Sequence, residues 1–280
     1  MKTAPEMYDK IIKIAENDER IRAAYIHGSR ANPNAAHDKY SDYDIVFVVT
    51  EVATFAENNN WLNAFGDIAF VFESLKCENV FFEKELNDLS RFYAWCVLLK
   101  DGSRIDLLAE IKEEAMKSKF TATARTLVLL DKDNCLPDVP YENRADSPGE
   151  AQYAACRAGF WWFLSDVAKA VARDQVPYAQ EQFNALIRPA LNQMLCWHIN
   201  SRFQISTGKG TQNFKKYLSE DFYALYTKTY SDCANFKNAV FFACELFDKA
   251  ASDVADYFGF TYKQENNMKK YSAEMLSCRN

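Results

Sequence analysis

The chain has little of what several common chemistries require. Its three histidines, His27, His37 and His198, are too few and too scattered for a histidine-rich zinc centre. No Cys-x-x-Cys occurs. The eight cysteines (Cys77, Cys96, Cys135, Cys156, Cys196, Cys233, Cys244 and Cys278) stand singly, several within apolar runs. That pattern fits reduced thiols in a cytoplasmic protein. No uncharged apolar stretch approaches the roughly 18 residues of a membrane span, so no membrane partner is expected. Residues 1–20 carry Glu6, Asp9, Glu16, Asp18 and Glu19, an acidic content foreign to a signal or transit peptide. There is no basic stripe either. Net charge is −6 with Lys and Arg dispersed, which argues against a long nucleic acid as partner. An acidic protein suits a small cationic substrate better. Internal repeats and low-complexity segments are also missing.

What is present is a two-part organisation. The 280 residues suffice for two domains, and 49% hydrophobic against 26% charged residues indicates a real core. Residues 6–17 read as a helix and 21–26 as a strand ending at Gly28. A polar loop covers 31–41, and Ile45-Val46-Phe47-Val48-Val49 is a second strand. A short helix near 60–65 and a strand at 68–72 follow. Segments 92–99 and 104–108, joined through Asp101-Gly102, read as a hairpin. Residues 126–130 add a last strand. Pro137, Pro140 and Ser147-Pro148-Gly149 mark a linker within 131–149. Three apolar stripes at helical spacing then predict a bundle: 150–173, a run from Phe183 to His198, and a run from Phe236 to Phe258. Pro189 predicts a kink or a helix start in the second. The expected boundary gives domains 1–145 and 146–280.

The most informative stretch is Asp42-Tyr43-Asp44-Ile45, fourteen residues after Gly28-Ser29-Arg30. On a strand, i and i+2 share a face, so Asp42 and Asp44 project together. Two adjacent carboxylates repel unless a cation lies between them. Mg²⁺ is a hard ion that takes carboxylate oxygens together with substrate phosphates. Asp106, in Arg104-Ile105-Asp106-Leu107-Leu108, is a lone carboxylate in an apolar strand. Beside the Asp42/Asp44 strand it would complete a three-carboxylate metal site able to support phosphoryl or nucleotidyl transfer. Gly28 permits close backbone approach. A helix starting at Ser29 would turn its free N–H groups, and the Ser29 hydroxyl, toward a phosphate.

The set Gly-Ser, spacer, Asp-x-Asp and a later strand Asp resembles the nucleotidyltransferase superfamily. The fuller run Gly28-Ser29-Arg30-Ala31-Asn32-Pro33-Asn34, then Asp42-Tyr43-Asp44-Ile45, is similar to the aminoglycoside 6-adenylyltransferases, the streptomycin-modifying group. The similarity continues through Trp61-Leu62-Asn63-Ala64-Phe65-Gly66, Leu129-Leu130-Asp131-Lys132-Asp133, Ile187-Arg188-Pro189, Trp197-His198-Ile199 and Ser206-Thr207-Gly208-Lys209. The resemblance implies an α+β fold: a polymerase-β-like nucleotidyltransferase domain with a mixed sheet, followed by an all-helical bundle domain. It implies transfer of AMP from Mg·ATP to the 6-hydroxyl of streptomycin, hence antibiotic resistance. Asp42, Asp44 and Asp106 would be the catalytic, metal-holding carboxylates, with Asp106 placed to hold metal or accept the hydroxyl's proton. Gly28, Ser29 and Arg30 would meet the nucleotide. His27 departs from the family pattern, which has an apolar residue there.

Alternatives remain at this stage. Another aminoglycoside, a lincosamide or a different alcohol could be the acceptor, and a silent nucleotide-binding protein could share the fold. Arg30 reads equally as a phosphate ligand and as a surface helix residue. The run Thr207-Gly208-Lys209-Gly210-Thr211 is not a P-loop, because the glycine required five residues earlier is Phe203. Lys209 is nonetheless a candidate for the phosphates, against a plain surface loop. Glu181 is a candidate for a guanidinium of streptomycin, against a solvated helix face. Only one of Trp161 and Trp162 can face inward on a helix. Trp197 and His198 read as packing residues, and the acidic run 110–114 as a solvated helix start.

Overall fold

The computed structural model describes residues 3–32, 37–73, 88–118, 126–137, 147–205, 207, 210–262 and 264–277. The chain forms two compact units, Met1–Glu142 and Asn143–Asn280. The first is built on a six-stranded mixed sheet and the second is helical, an α+β architecture.

In the first unit, helix α1 (Ala4–Asn17) starts at a capping box: Glu6 reaches back to the Thr3 backbone and hydroxyl. It buries Met7, Ile11 and Ala15, which share one face at helical spacing. The strands are β1 (Ile21–His27), β2 (Tyr43–Val49), β3 (Ile68–Glu73), β4 (Phe92–Leu99), β5 (Arg104–Glu110) and β6 (Thr126–Asp131), in sheet order β3-β4-β5-β2-β1-β6. Among these, β2 and β5 run parallel and the other neighbours antiparallel. The β4–β5 hairpin closes through Asp101-Gly102. Gly102 takes a φ of 86° that disfavours a side chain, and Asp101 accepts from the Ser103 N–H.

Alternation along the strands splits the sheet into two unlike faces. One is a core of Tyr43, Ile45, Phe47, Tyr93, Trp95, Val97, Ile105 and Leu107. It is covered by α1, by the short helix α2 (Ala53–Ala56) and by a 3-10 stretch, Asn59–Phe65, that contributes Leu62 and Phe65. Trp61 meets Trp95 edge to face, with ring centres 5.3 Å apart. The other face carries a small cluster, Ala23, Tyr25, Val46, Val48 and Ala115, at the end near α3 (Lys112–Ser118). The expected solvated helix start at 110–114 is corrected in part. Glu110 closes β5, is buried, and accepts a 2.5 Å hydrogen bond from the Tyr25 hydroxyl. Alternation turns it inward, and a buried carboxylate persists there because a donor meets it.

The second unit packs α4 (Glu150–Ala172), α5 (Val176–Gln182), α6 (Arg188–Phe203), α7 (Phe214–Tyr217), α8 (Glu220–Lys228), α9 (Phe236–Phe258) and α10 (Asn266–Ser277). Its centre holds Phe160 stacked on Phe247 at 3.8 Å, with Leu164, Leu191, Leu195, Ala243 and Ala250 around them. Trp161 is buried while Trp162 is exposed, as adjacency on a helix demands. A π-helical turn, Phe183–Ile187, joins α5 to α6, and Pro189 lies in the first turn of α6. Proline lacks the N–H that would bond the carbonyl four residues back, and the wider turn accommodates that. Trp197 and His198 are both buried on the α6 stripe.

Candidate active site

The site lies on the less covered face of the sheet. Asp44 of β2 stands in register with Asp106 of β5 on the parallel neighbour. Partners in register on adjacent strands share a face, so the two carboxylates project side by side. Asp42 precedes β2 by one residue and falls on that side by the i, i+2 rule. The row continues in both directions: Cys96 of β4 pairs with Asp106, and His27 of β1 pairs with Asp44. The apolar residues between these, Tyr43, Ile45, Ile105 and Leu107, anchor both strands in the opposite core. The same alternation that buries them presents the carboxylates.

Gly28 follows β1 with a φ of 76°. A Cβ built on it would lie 2.4 Å from Oδ2 of Asp44, inside any tolerable contact. Glycine is required twice over here, by the positive φ and by the carboxylate seated against its backbone. The expected helix at Ser29 is corrected to a single 3-10 turn, Ser29–Ala31. A turn this short aligns too few N–H groups to make a phosphate cradle alone. Ser29 itself is exposed beside the site. Arg30 is not the surface helix residue of one expectation. It is buried, with Nε donating to the Asp42 carbonyl at 2.9 Å and Nη2 to the Ser41 carbonyl at 2.6 Å. Its guanidinium lies over the Tyr43 ring at 3.8 Å. Arg30 thus clamps the chain entering β2 and sets the position of Asp42.

Arg104 is the residue that sequence reasoning missed. Two residues before Asp106 on β5, it shares that face and turns its fork onto the carboxylate. Nε lies 3.0 Å from Oδ1 and Nη2 2.9 Å from Oδ2. Its Nη1 is 3.9 Å from Oδ2 of Asp42. The available signal was the spacing Arg104-Ile105-Asp106, which repeats the alternation of Asp42-Tyr43-Asp44. Cys96 was missed as well. Burial, together with the negative charge of Asp106, raises its thiol above the usual range, so it is held protonated.

The donor set suits a hard divalent cation. Three carboxylates share one face, two of them in register, and Asp44 is seated in a hollow that a Cβ would fill. As the side chains stand, no three His, Cys, Asp or Glu groups converge to hold a metal among the described residues. The positive charge between the carboxylates belongs to Arg104 instead. Glu181 is exposed on α5 of the second unit. Lys209 lies outside the described residues. Among those residues no helix is long and apolar enough to cross a membrane.

The chain is similar to known proteins along nearly its whole length. A family model described as streptomycin adenylyltransferase matches residues 1–275. The chain is 30% identical to an aminoglycoside 6-adenylyltransferase of Bacillus subtilis (strain 168), over 99% of this chain and 99% of that protein. It is 28% identical to one from Staphylococcus aureus, over 97% and 98% of the two chains. A crystal structure of an aminoglycoside 6-adenyltransferase from Bacillus subtilis aligns over 99% of this chain and 100% of that one, at 26% identity and a TM-score of 0.47.

Proposed function

Since the chain belongs to the streptomycin adenylyltransferase family, we propose that it transfers AMP from Mg·ATP to the 6-hydroxyl of streptomycin and so confers resistance to that antibiotic. One observation carries the reading: Asp44 and Asp106 in register on parallel strands, with Gly28 hollowed out beneath Asp44. Asp42, Asp44 and Asp106 would hold Mg²⁺, which supplies charge neutralisation at the phosphates. Ser29 contributes a hydroxyl to the triphosphate, while Gly28 keeps the approach open. Arg30 fixes the Asp42 backbone and acts through that residue rather than on the nucleotide.

The acceptor oxygen bonds to the α-phosphorus as the bond from that phosphorus to the bridging oxygen breaks. Pyrophosphate leaves, and the hydroxyl proton passes to a carboxylate, for which Asp106 is the candidate. Little covalent chemistry is asked of the protein, whose work is positioning and charge. Streptomycin is cationic and the chain is acidic, which favours their encounter. Glu181 and Lys209 are assigned lesser parts, one toward a guanidinium of the acceptor and one toward the phosphates. The described cysteines that stand outside any disulfide fit a cytoplasmic protein.

Purified protein incubated with Mg·ATP and streptomycin should release pyrophosphate and yield adenylylated antibiotic. No release with streptomycin at any concentration, but release with another aminoglycoside or a lincosamide, would keep the chemistry and replace the acceptor. Nucleotide binding without transfer to any acceptor would mark a silent member of the family.

A further inference from the structure

The carboxylate site holds a counter-charge of its own. Both oxygens of Asp106 are engaged by the Arg104 fork, and the same guanidinium approaches Asp42. Arg104 is half exposed, anchored on an edge of the site rather than buried under it, and Ile105 and Leu107 on either side of Asp106 fix the β5 backbone in the opposite core. The side chain can therefore leave Asp106 without disturbing the strand. A positive charge about 5 Å from a divalent ion opposes its binding by about tenfold even at water-like screening. ATP phosphates offer a guanidinium the same planar two-point partner that a carboxylate does.

We propose that Arg104 is a positioning residue that makes metal binding depend on nucleotide. Without nucleotide it neutralises Asp106 and Asp42 and keeps a divalent cation from settling on them. When the nucleotide enters, the guanidinium passes from Asp106 to a phosphate oxygen and frees the carboxylate for the metal. Metal and nucleotide then bind with positive coupling, and the coupling is reciprocal. This deepens the proposed function and rests on its assignment of Asp42, Asp44 and Asp106 as the metal-holding set.

The test is binding of Mn²⁺ to the full-length protein, by calorimetry or by loss of the free-ion resonance signal, with and without a nonhydrolysable ATP analogue. In the wild type the analogue should tighten Mn²⁺ binding by tenfold or more, on the order of the Coulomb estimate above. Arg104→Met should bind Mn²⁺ alone about tenfold more tightly than the wild type, and the tightening by the analogue should be smaller than in the wild type by about the same factor, the remainder coming from the analogue's own phosphates. Arg104→Lys keeps the charge and should restore weak metal binding in the absence of nucleotide. A gain of affinity cannot come from a damaged fold. If Arg104→Met binds Mn²⁺ alone no better than the wild type, while the wild type shows nucleotide-dependent binding, this inference is overturned and the metal assignment stands. If the wild type binds no Mn²⁺ even with the analogue, the metal assignment fails and this inference with it.

Discussion

The two units handle their buried and half-buried charges differently. In the sheet unit four of these groups gather on one face, Asp42, Asp44, Arg104 and Asp106, braced by Arg30 and Gly28, apart from separate contacts such as Glu110 with Tyr25. In the helical unit they are dispersed, and each ties two segments together. Arg157 of α4 reaches Glu265 at 3.0 Å, and Arg188 of α6 bonds the Thr229 hydroxyl and carbonyl. Dispersed ties satisfy polar groups and fix helix positions. Like charges gathered on one face oppose folding unless something compensates them, and such arrangements cluster where chemistry is done. The contrast predicts that substitutions in the first set change turnover with little effect on stability, and substitutions in the second do the reverse.

The largest expected effect is that of Asp44→Asn. On the proposed metal-holding role, transfer should fall by about three orders of magnitude or more, since a bound metal supplies several kcal/mol of transition-state charge stabilisation. The urea midpoint should shift by less than the equivalent of about 1 kcal/mol, because the change relieves repulsion as much as it removes contact. Full activity in this variant would break the comparison at its first term.

Arg157→Leu tests the second set. Its guanidinium also lies near the rings of Tyr153 and Tyr262, at 5.6 and 5.5 Å. Loss of the pair with Glu265 and of these contacts should destabilise the protein by about 2 kcal/mol in denaturant titration. The turnover number of the folded fraction should match the wild type, and a selective loss of turnover would move this residue into the first set.

A smaller effect concerns pH. Burial and the Arg202 charge hold the His198 imidazole down, to about 4, although Asp253 lies 3.2 Å from Nδ1. The folded chain takes up this proton less readily than the unfolded chain, whose histidine titrates near about 6.5. The contribution to stability is therefore complete above about pH 6.5 and is lost as pH falls toward about 4, by about 2–3 kcal/mol. His198→Asn should lack that part of the slope in unfolding free energy measured from pH 7 to 4. An unchanged slope would mean that the acid sensitivity arises elsewhere.

Much of this was legible in the sequence wherever the signal is local. The Asp101-Gly102 hairpin, the apolar stripes of α4, α6 and α9, and the shared projection of Asp42 and Asp44 all follow from periods of two or 3.6 within one segment. Other features depended on contacts that no local period encodes. Arg30 was ambiguous because its partners, the Ser41 and Asp42 carbonyls, lie across a loop. Glu110 read as solvated because the phenol that satisfies it stands on β1, eighty-five positions away in the chain. Helices α8 and α10 were not foreseen, being short or only moderately amphipathic.

The sequence by itself determined which side chains share a face with which, because alternation along a strand is a property of the backbone. It therefore determined that two aspartates flank a tyrosine and that an arginine and an aspartate flank an isoleucine. Only the tertiary structure decided that β2 and β5 lie side by side, parallel, and with Asp44 opposite Asp106. Strand order and register are set by the packing of the opposite apolar core, which no single segment contains. What register adds is that the Arg104 guanidinium, already beside Asp106 along β5, also approaches Asp42 at the entry to β2.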